Sequence, residues 1–391
     1  MTVQVLVVGA GPVGLLLGNL LGAAGVHALV VDKRERGPDA SMAIGITPPS
    51  LALLRSLQLD QAFVAAGVRV DHAVVHGDHG RLGELSFREI PGPCPFILSL
   101  PQAETVRLLE DRLRAWPTVT LRRGIELRAL LQEPSGVTVT LRELAGGGDE
   151  TLCCAWLAGC DGGDSRVRQL AGIGADGADY PQSFVMADFT DASGLAREAH
   201  LYFTRAGSVE SFPLPGERRR WIVQTDSLQR PVPAGLMAET VRRRAGIDLS
   251  ASACTFESAF SVRRRLARRY VFGRVTLAGD AAHLMSPVGG QGMNVGFGDA
   301  AALAAVLAGA IRSGVDAGPA LAAYERSRRR VAQIAIGRAA RGMWVGTRRG
   351  RLTGLWRDPL LRLLLSPPLC RKLPPYFAML TLPGPWPATA A

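Results

Sequence analysis

The sequence has almost no lysine. Lys33 and Lys372 are its only lysines, so arginine supplies nearly all of the 45 cationic residues and the formal net charge of +11. No recognised nucleic-acid motif accompanies this charge, and the arginines are spread along the chain. The composition therefore indicates a solvated basic surface and argues against a nucleic-acid-binding protein. Such a surface would steer an anionic substrate or a nicotinamide phosphate.

Cysteine is also scarce. The six cysteines include no C-x-x-C pair and show no metal-ligand spacing. Cys153 and Cys154 are adjacent in a predicted strand, so their side chains point to opposite faces and are poorly placed to form a disulfide. We therefore predict no metal site and a reducing, cytoplasmic compartment.

The apolar N-terminal segment lacks basic residues. No lysine or arginine precedes Lys33, whereas a signal peptide begins with a positively charged region. The glycines of this segment fit a turn and a tightly packed helix better than a membrane span. We therefore predict that it forms structural core and that the protein has no integral membrane association.

The first 31 residues instead predict a β-α-β unit. Residues 2–8 (TVQVLVV) form a continuous apolar run of the kind buried on both faces of a parallel sheet. Residues 12–24 have a helical pattern, and residues 28–31 (ALVV) predict a second buried strand. This order is typical of a nucleotide-binding α/β fold.

The remaining chain predicts a second, β-rich layer. Short strand-like runs separated by Gly and Pro turns occupy residues 180–262, whereas residues 292–311 and 321–340 predict long helices. The predicted nucleotide-binding domain comprises residues 1–70, 97–179 and 263–340. The predicted substrate-binding β-sheet domain comprises residues 71–96 and 180–262, and a helical, proline-rich tail comprises residues 341–391.

A G-x-G-x-x-G motif over residues 9–14 follows the first predicted strand. Gly9 permits the tight turn, Gly11 lets the backbone approach a pyrophosphate, and Gly14 lets helix and strand pack closely. Asp32 ends the second predicted strand, where an acid binds ribose hydroxyls. Because an acid disfavours a 2′-phosphate at this position, the pocket suits FAD or NAD better than NADP.

Two further motifs stand at predicted strand ends. Residues 159–168 (GCDGGDSRVR) contain an Asp-Gly pair that alone would indicate only a turn. The other motif runs over residues 273–294. It places Asp280 just past a predicted buried strand over residues 271–278, positioned to accept a hydrogen bond from a ribityl hydroxyl. Residues 289–294 precede a long predicted helix, so their N–H groups can meet a polarised carbonyl.

Together these motifs resemble those of the p-hydroxybenzoate hydroxylase-type (group A) FAD-dependent monooxygenases, especially the aromatic polyketide hydroxylase branch. Residues 95–102 (PFILSLPQ) are similar to that family's helix-leading segment. The resemblance covers residues 3 to about 335, and its three motifs occur in the family's order. It implies an α/β fold in which a Rossmann-type FAD-binding domain carries an inserted β-sheet substrate domain.

The resemblance also implies which residues hold tightly bound, non-covalent FAD. The first motif would hold the ADP half, Asp161 would serve both FAD and nicotinamide, and Asp280 would hold the riboflavin part. Gln102 would contact the ribityl chain. The implied FAD-binding residues are Gly9, Gly11, Pro12, Val13, Gly14, Asp32, Lys33, Gln102, Asp161, Asp280, Pro287, Gly290, Gly292, Met293 and Asn294.

The activity implied by the resemblance is oxygen transfer in a polyketide or antibiotic pathway of secondary metabolism. NAD(P)H reduces the flavin, and the reduced flavin activates O2 for transfer of one oxygen atom to an activated small molecule. The resemblance implies that NAD(P)H acts as a transient co-substrate. His283 lies within the third motif and is either a structural neighbour of the flavin loop, which we favour, or a proton donor.

The sequence departs from this family at two places. Members commonly carry arginine at the position of Met42. Methionine cannot bind pyrophosphate or nicotinamide phosphate, so either Arg34 or Arg36 replaces that arginine, or reduction by NAD(P)H is weaker or absent. We also expect a short form without the thioredoxin-like C-terminal domain of many polyketide hydroxylases.

Two functions of different class therefore stay open. One is a monooxygenase that hydroxylates or epoxidises an aromatic or polyketide-like molecule. The other is an FAD-binding reductase or redox-neutral cyclase of the same fold. The sequence leaves open whether the protein is a monomer or a homodimer. We expect the substrate cavity between the flavin and the inserted sheet, with these candidate lining residues: Met186, Phe203, Phe212, Trp221 and Phe260.

Overall fold

The structure, a computed structural model, describes residues 3–37, 43–350 and 352–384. Its strands are β1 Val3–Val8, β2 Ala28–Asp32, β3 Gly45–Ile46, β4 Val68–Val70, β5 His72–Gly77, β6 Gly80–Ser86, β7 Ile97–Ser99, β8 Val119–Arg123, β9 Ile125–Glu133, β10 Gly136–Glu143, β11 Asp149–Gly159, β12 Ala175–Thr190, β13 Ala199–Thr204, β14 Gly207–Leu214, β15 Arg218–Thr225, β16 Cys254–Ala267, β17 Val271–Phe272, β18 Val275–Leu277 and β19 His283–Leu284.

The helices account for about half of the remaining described chain. They are α1 Pro12–Ala23, α2 Pro48–Arg55, α3 Asp60–Ala66, α4 Gln102–Leu113, α5 Arg166–Leu170, α6 Leu236–Ala245, α7 Gly292–Ser313, α8 Gly318–Gly346, α9 Thr353–Leu364 and α10 Leu373–Phe377. Two short 3-10 helices lie at Gly279–Ala281 and Leu369–Lys372. These elements arrange around two large sheets and a small one formed by β3, β7 and β4.

The first large sheet has the order β17-β18-β11-β1-β2-β8, with β10 and β9 continuing from β11. Strand β1 lies parallel to both β11 and β2, and β11 lies parallel to β18. All of β2 and the last four residues of β1 are buried, as expected for parallel strands covered on both faces. The predicted β-α-β unit is confirmed, with helix α1 ending at Ala23.

The second large sheet has the order β19-β16-β12-β15-β14-β13-β5-β6. All of its pairs are antiparallel except β13 with β5. One face packs against helix α6 through Val185, Val223 and Met237. The predicted β-rich layer is thus present, and its strands β12 and β16 reach a few residues beyond the predicted domain boundaries at 180 and 262.

One predicted strand is wrong. Residues 271–278 do not form a continuous strand, because the short antiparallel strands β17 and β18 are joined by a two-residue turn. Gly273 takes a φ of 59° in this turn, and Gln132 accepts a hydrogen bond from the Arg274 N–H at 2.8 Å. Only β18 continues as the buried parallel strand beside β11.

The tail packs on the core in part. Ala378, Met379 and Leu382 are buried, whereas helix α9 leaves Leu355 73% exposed and Leu363 58% exposed. Proline lacks an N–H and is therefore expected to end a helix. Pro359 nevertheless lies inside α9. Helix α9 spans 12 residues, and α10 follows after a short 3-10 helix.

Helix α7 is long and apolar enough to cross a membrane. Among the described residues it is the helix that satisfies this test, and 61% of its most apolar window is buried against the rest of the protein. Its glycines explain part of that burial, since a Cβ at Gly296 would overlap the Val13 side chain of α1. The same test is passed by the central helix of many globular proteins.

Candidate cofactor site

The three sequence motifs meet at one edge of the first sheet. Strands β1, β2, β11 and β18 run parallel and end at Val8, Asp32, Gly159 and Leu277. The first motif begins directly after β1, the second begins at the last residue of β11, and the third runs through β18 and past its carboxyl end. In open α/β sheets, ligands bind in the crevice outside this edge. The topology thus brings together segments that are up to 270 residues apart in the chain.

The turn after β1 requires glycine for two different reasons, close backbone packing and open space for a ligand. A Cβ at Gly9 would overlap the carbonyl oxygen of Cys160, and one at Gly14 would overlap the carbonyl oxygen of Gly9. A Cβ at Gly11 would meet nothing within 4 Å. Protein packing therefore explains Gly9 and Gly14, whereas the space above Gly11 is available to a ligand.

Helix α1 begins at this turn. Pro12 occupies its first turn and Gly11 is its N-cap without a side-chain hydrogen bond. The helix geometry therefore leaves the N–H groups of Val13 and Gly14 without intrahelical acceptors. The Val13 side chain packs against the third motif, because a Cβ at Gly279 would lie 2.9 Å from its Cγ2 atom. An anion placed over Gly11 would meet these N–H groups and the positive end of the helix dipole.

Asp32 is held in the charged state at the end of β2. Its carboxylate accepts hydrogen bonds from the Ala10 N–H at 2.7 Å, the Arg34 N–H at 2.9 Å and the Arg34 guanidinium at 2.8 and 3.0 Å. Burial acts to raise the pKa of Asp32, but its hydrogen bonds and the charge of Arg34 lower it overall. Arg34 and neighbouring Lys33 and Arg36 are exposed, so Arg34 can move to admit a ribose.

Asp161 holds its own loop together. Its carboxylate accepts from the Ser165 hydroxyl at 2.5 Å and from the Val167 N–H at 3.0 Å. Arg168 then donates to the carbonyl oxygen of Ala281 at 2.9 Å. The second motif is thereby bonded to the third, and Asp161 positions that connection.

Asp280 lies in the third motif within a short 3-10 turn. Desolvation raises the pKa of Asp280, with Asp299 adding to the shift and His283 opposing it. The residue is nevertheless exposed to solvent. The side chain has protein nearby but is reached by solvent, so a polar ligand group can bind it.

Behind Asp280 lies a buried network that sequence reasoning missed. Asp299 of α7 accepts hydrogen bonds from the Gly279 N–H at 3.0 Å and from Arg328 at 2.7 Å, and it lies 2.6 Å from His283 Nε2. All three side chains are at most 2% exposed. Burial acts to raise the pKa of Asp299, but His283 and Arg328 lower it overall. His283 therefore fixes the Asp280 turn, as the favoured structural interpretation expects.

The loop before α7 forms the opposite wall. The Gly290 N–H donates to the Pro287 carbonyl oxygen at 2.8 Å, and Gly290 has a φ of 63°. Helix α7 starts at Gly292, so the N–H groups of Gly292, Met293 and Asn294 lie in its first turn without intrahelical acceptors. The predicted residues Pro287, Gly290, Gly292 and Met293 thus border one helix N-terminus.

The Asn294 side chain is already bonded within the protein. Its carbonyl oxygen accepts from Thr47 and Ser50, and its amide donates to the carbonyl oxygens of Gly45 and Gly290 at 2.9 Å. The side chain thus anchors α7 to the segment before α2. This geometry leaves the Asn294 backbone N–H as the group that can face a cofactor.

Gln102 is the first residue of α4, and its Oε1 accepts from the Ala43 N–H at 3.2 Å. The structure thus places Gln102 beside the chain that leads to β3. Met42, the position that raised the question of flavin reduction, lies outside the described residues. The two arginines considered as its replacement, Arg34 and Arg36, follow Asp32 in the chain and lie near that end of the crevice.

The candidate substrate residues divide between the two faces of the second sheet. Met186 and Phe260 lie in one apolar cluster with Met343 of α8, and Val288 of the third motif packs against it. Phe212 packs with tail residues, and the carbonyl oxygen of Phe203 accepts a hydrogen bond from Arg357.

Trp221 lies on the opposite face of the second sheet from the other four candidate residues. It is fully buried in the cluster that packs against α6, on the other face of the sheet. Its strand neighbours explain this, because residues two apart share a face and Val223 also packs against α6. The prediction that Trp221 lines the cavity is therefore wrong.

The arrangement suits a dinucleotide better than a metal. Among the described residues, no group of three or more His, Cys, Asp or Glu side chains could hold a metal ion. The open space at Gly11, the accessible carboxylate of Asp280 and the free first turns of α1 and α7 fit a cofactor that carries both phosphate and hydroxyl groups. Fold and site together define a dinucleotide-binding α/β protein.

Comparison with known proteins gives the family. The model described as the FAD binding domain matches residues 2–339, and the chain belongs to this family. The predicted cofactor, FAD, and the predicted fold class are thereby confirmed.

Three similar proteins illustrate the relationship. The chain is 35% identical to 6-methylpretetramide 4-monooxygenase of Streptomyces rimosus, over 79% of this chain and 56% of that protein. It is 30% identical to dialkyldecalin synthase of Streptomyces rugosporus, over 80% and 66% of the two chains. The solved structure of anhydrotetracycline hydroxylase from Streptomyces rimosus matches with a TM-score of 0.82 at 31% identity, over 98% of this chain and 77% of that chain. The chain thus spans 56% to 66% of the length of these two curated relatives.

Proposed function

We propose that the protein is a cytoplasmic FAD-dependent monooxygenase that hydroxylates or epoxidises an aromatic or polyketide-like small molecule. NAD(P)H and O2 are its co-substrates. The names of two similar proteins, a pretetramide monooxygenase and an anhydrotetracycline hydroxylase, support this class of substrate. A role in antibiotic biosynthesis follows from the same similarity.

One contact between the two halves of the molecule carries the proposal. Val288, from the loop that borders α7, packs against the apolar cluster of the second sheet that contains Met186 and Phe260. The wall of the cofactor crevice and one face of the sheet are therefore adjacent. A substrate held on that face would lie next to the riboflavin end of the cofactor.

The residues of the crevice have distinct parts in this proposal. Gly11 and the first turn of α1 receive the pyrophosphate, Asp32 binds the ribose, and Asp280 binds the ribityl chain. Gln102 and the N–H groups of residues 292–294 border the flavin end. FAD supplies the electron transfer and oxygen activation, while these residues bind and orient it. Residues 1–70, 97–179 and 263–340 form the FAD-binding domain in this assignment, and residues 71–96 and 180–262 form the substrate-binding domain.

The test is anaerobic mixing of the purified FAD-loaded protein with NADH or NADPH. Anhydrotetracycline is present as the probe, and a parallel mixture lacks the nicotinamide. We expect the absorbance of oxidised flavin to be lost, and admission of O2 to yield a product heavier by one oxygen atom. A flavin that stays oxidised while the probe is left unchanged or is converted without gain of oxygen would contradict the proposal.

A redox-neutral cyclase is the second candidate. The specific observation in its favour is the similarity to dialkyldecalin synthase at 30% identity. A cyclase would use the sheet face to fold a flexible polyene and would need FAD only as part of the scaffold. Conversion of a polyene probe without reductant, at unchanged molecular mass, would support this candidate.

A further inference from the structure

Glu210 is an acidic residue within one face of the second sheet. It lies in strand β14, directly opposite Ile222 of β15 and Leu201 of β13. On its own strand, residues two apart share its face, which adds Ser208 and Phe212. This is the face opposite α6, because the alternate residue Val209 packs in the α6 cluster.

The carboxylate of Glu210 has no partner among the described residues. No described side chain or backbone group hydrogen-bonds to it or pairs with it. Desolvation by the surrounding protein raises the pKa of Glu210 to about 7, and no neighbouring charge contributes to the shift. The residue is still partly accessible to solvent, so it lines a space that water can enter.

The nearest charged groups on this face neutralise each other. Asp188 of β12 and Arg220 of β15 form an ion pair at 2.7 Å, one row of side chains from Glu210. Both are buried. Burying an acid without a hydrogen bond costs free energy, so buried acids normally have partners. No residue in the described part of the chain compensates the charge of Glu210, which indicates that a ligand does so.

The Glu210 face adjoins the cofactor crevice. Ile222, directly opposite Glu210, packs against the cluster that Val288 of the third motif also contacts. Met186 stands in the same row, one strand beyond Ile222. The carboxylate is thus on the sheet surface that the proposed function assigns to the substrate.

We propose that Glu210 binds a hydroxyl group of an aromatic substrate and accepts its proton. The hydroxyl O–H bond breaks, the proton forms a bond to a carboxylate oxygen of Glu210, and the electron pair stays on the substrate oxygen. No electron leaves the substrate in this step. The resulting aryl oxide is more electron-rich, so its ring is a better acceptor of an oxygen atom. This inference rests on the proposed function.

The test compares two probes that differ only in this hydroxyl, 2-hydroxyanthraquinone and 2-methoxyanthraquinone. Binding to the oxidised FAD-loaded protein is followed by the change in flavin absorbance at a pH above 7. We expect the wild type to prefer the hydroxy probe, and Glu210→Gln to lower that preference on the order of tenfold or more, because a charged hydrogen-bond acceptor is lost. The absorbance band of the deprotonated probe should appear with the wild type and disappear with the variant.

Glu257→Gln is the matched control. Glu257 lies in β16 opposite Ala187, on the α6 face of the same sheet, and it is exposed. This variant should keep the wild-type preference and the deprotonated band. FAD content and unfolding midpoint of both variants are measured to show that the fold is intact.

An equal preference in wild type and Glu210→Gln would overturn the proposal, as would failure of the wild type to bind the hydroxy probe. Because no reductant is present, the binding result is independent of oxygen transfer. A lowered preference in Glu210→Gln combined with no oxygenated product under turnover conditions would reject the monooxygenase function alone.

Discussion

Asp299 and Glu210 are both enclosed acids, but the protein surrounds them differently. Asp299, behind the cofactor loop, receives hydrogen bonds from the Gly279 N–H and Arg328 and contacts His283, and its pKa is lowered. Glu210, on the sheet face, has no such partners among the residues that the structure describes, and its pKa is raised to about 7. Asp299 is fully buried, whereas Glu210 is partly accessible.

This difference distinguishes an acid that stabilises the fold from an acid that can bind a ligand. An acid whose charge is fully compensated stabilises the loop around it, but it has no unpaired acceptor with which to bind a small molecule. An acid that is desolvated without compensation is unstable alone, and a ligand that donates a hydrogen bond relieves that cost. The same distinction applies within the cofactor crevice, where Asp161 is internally bonded and Asp280 is accessible.

Removing the charge of Asp299 should have the largest effect. Asp299→Asn leaves the buried Arg328 without its carboxylate, so we expect the free energy of unfolding of the FAD-loaded protein to fall by about 3–5 kcal/mol. Urea unfolding measures it. Asp226→Asn is the control, because Asp226 is 91% exposed and its pair with Arg349 lies at the surface. A similarly small loss of unfolding free energy in both variants would contradict the stabilising role of the buried Asp299 network.

Alanine substitutions in the glycine turn should separate packing from cofactor contact. Gly14→Ala places a Cβ against the Gly9 carbonyl oxygen, so stability should fall by about 1–3 kcal/mol even without FAD. Gly11→Ala meets open space and should leave the apoprotein stability within about 0.5 kcal/mol of wild type. Its FAD affinity should nevertheless fall, because the Cβ occupies the place assigned to the pyrophosphate. Unchanged FAD affinity in Gly11→Ala would contradict that placement.

Asp32→Ala tests the ribose assignment. We expect FAD binding to weaken by about 1–3 kcal/mol, since the variant removes a buried acceptor from both ribose and the Ala10 N–H. Equilibrium dialysis measures the affinity, and Glu35→Ala serves as the control because Glu35 is exposed in the same loop. Full FAD retention by Asp32→Ala would show that the ribose binds elsewhere.

The pH dependence of the free energy of unfolding should reveal the raised pKa of Glu210. Its folded pKa of about 7 lies above the usual value of 4.5, so the folded state holds this proton more tightly than the unfolded state. The contribution of protonated Glu210 is therefore fully present below pH 4.5 and is lost as the pH rises through 7. Relative to Glu210→Gln, the wild type should lose about 1–2 kcal/mol over this range, which is less than the full pKa shift implies because Glu210 is partly accessible to solvent. Parallel stability curves for the two proteins would contradict the shifted pKa.

The cofactor crevice was more predictable from sequence than the sheet face. The turn at Gly9, the strand ending at Asp32 and the loop at Asp280 are local patterns, and their order alone indicated a dinucleotide. Asp299 was missed because it is one polar residue in the alanine-rich helix α7, and Arg328 because it lies within an arginine run. Only the packing of α7 against α8 shows that the two meet.

The face of a strand that points toward a ligand depends on tertiary packing. Alternation in residues 218–225 predicts two faces but does not tell which of them α6 covers. This is why Trp221 was assigned to the cavity and Glu210 was overlooked. The single predicted strand over residues 271–278 failed for a related reason, because its apolar residues fit one long strand as well as a tight hairpin.

The most direct test of the central claim is the origin of the oxygen in the product. The FAD-loaded protein is supplied with anhydrotetracycline, NADPH or NADH, and isotopically labelled O2, and the product is analysed by mass spectrometry. The account predicts one labelled oxygen atom in each product molecule. A product that carries no label, or a probe converted at unchanged mass, would contradict it.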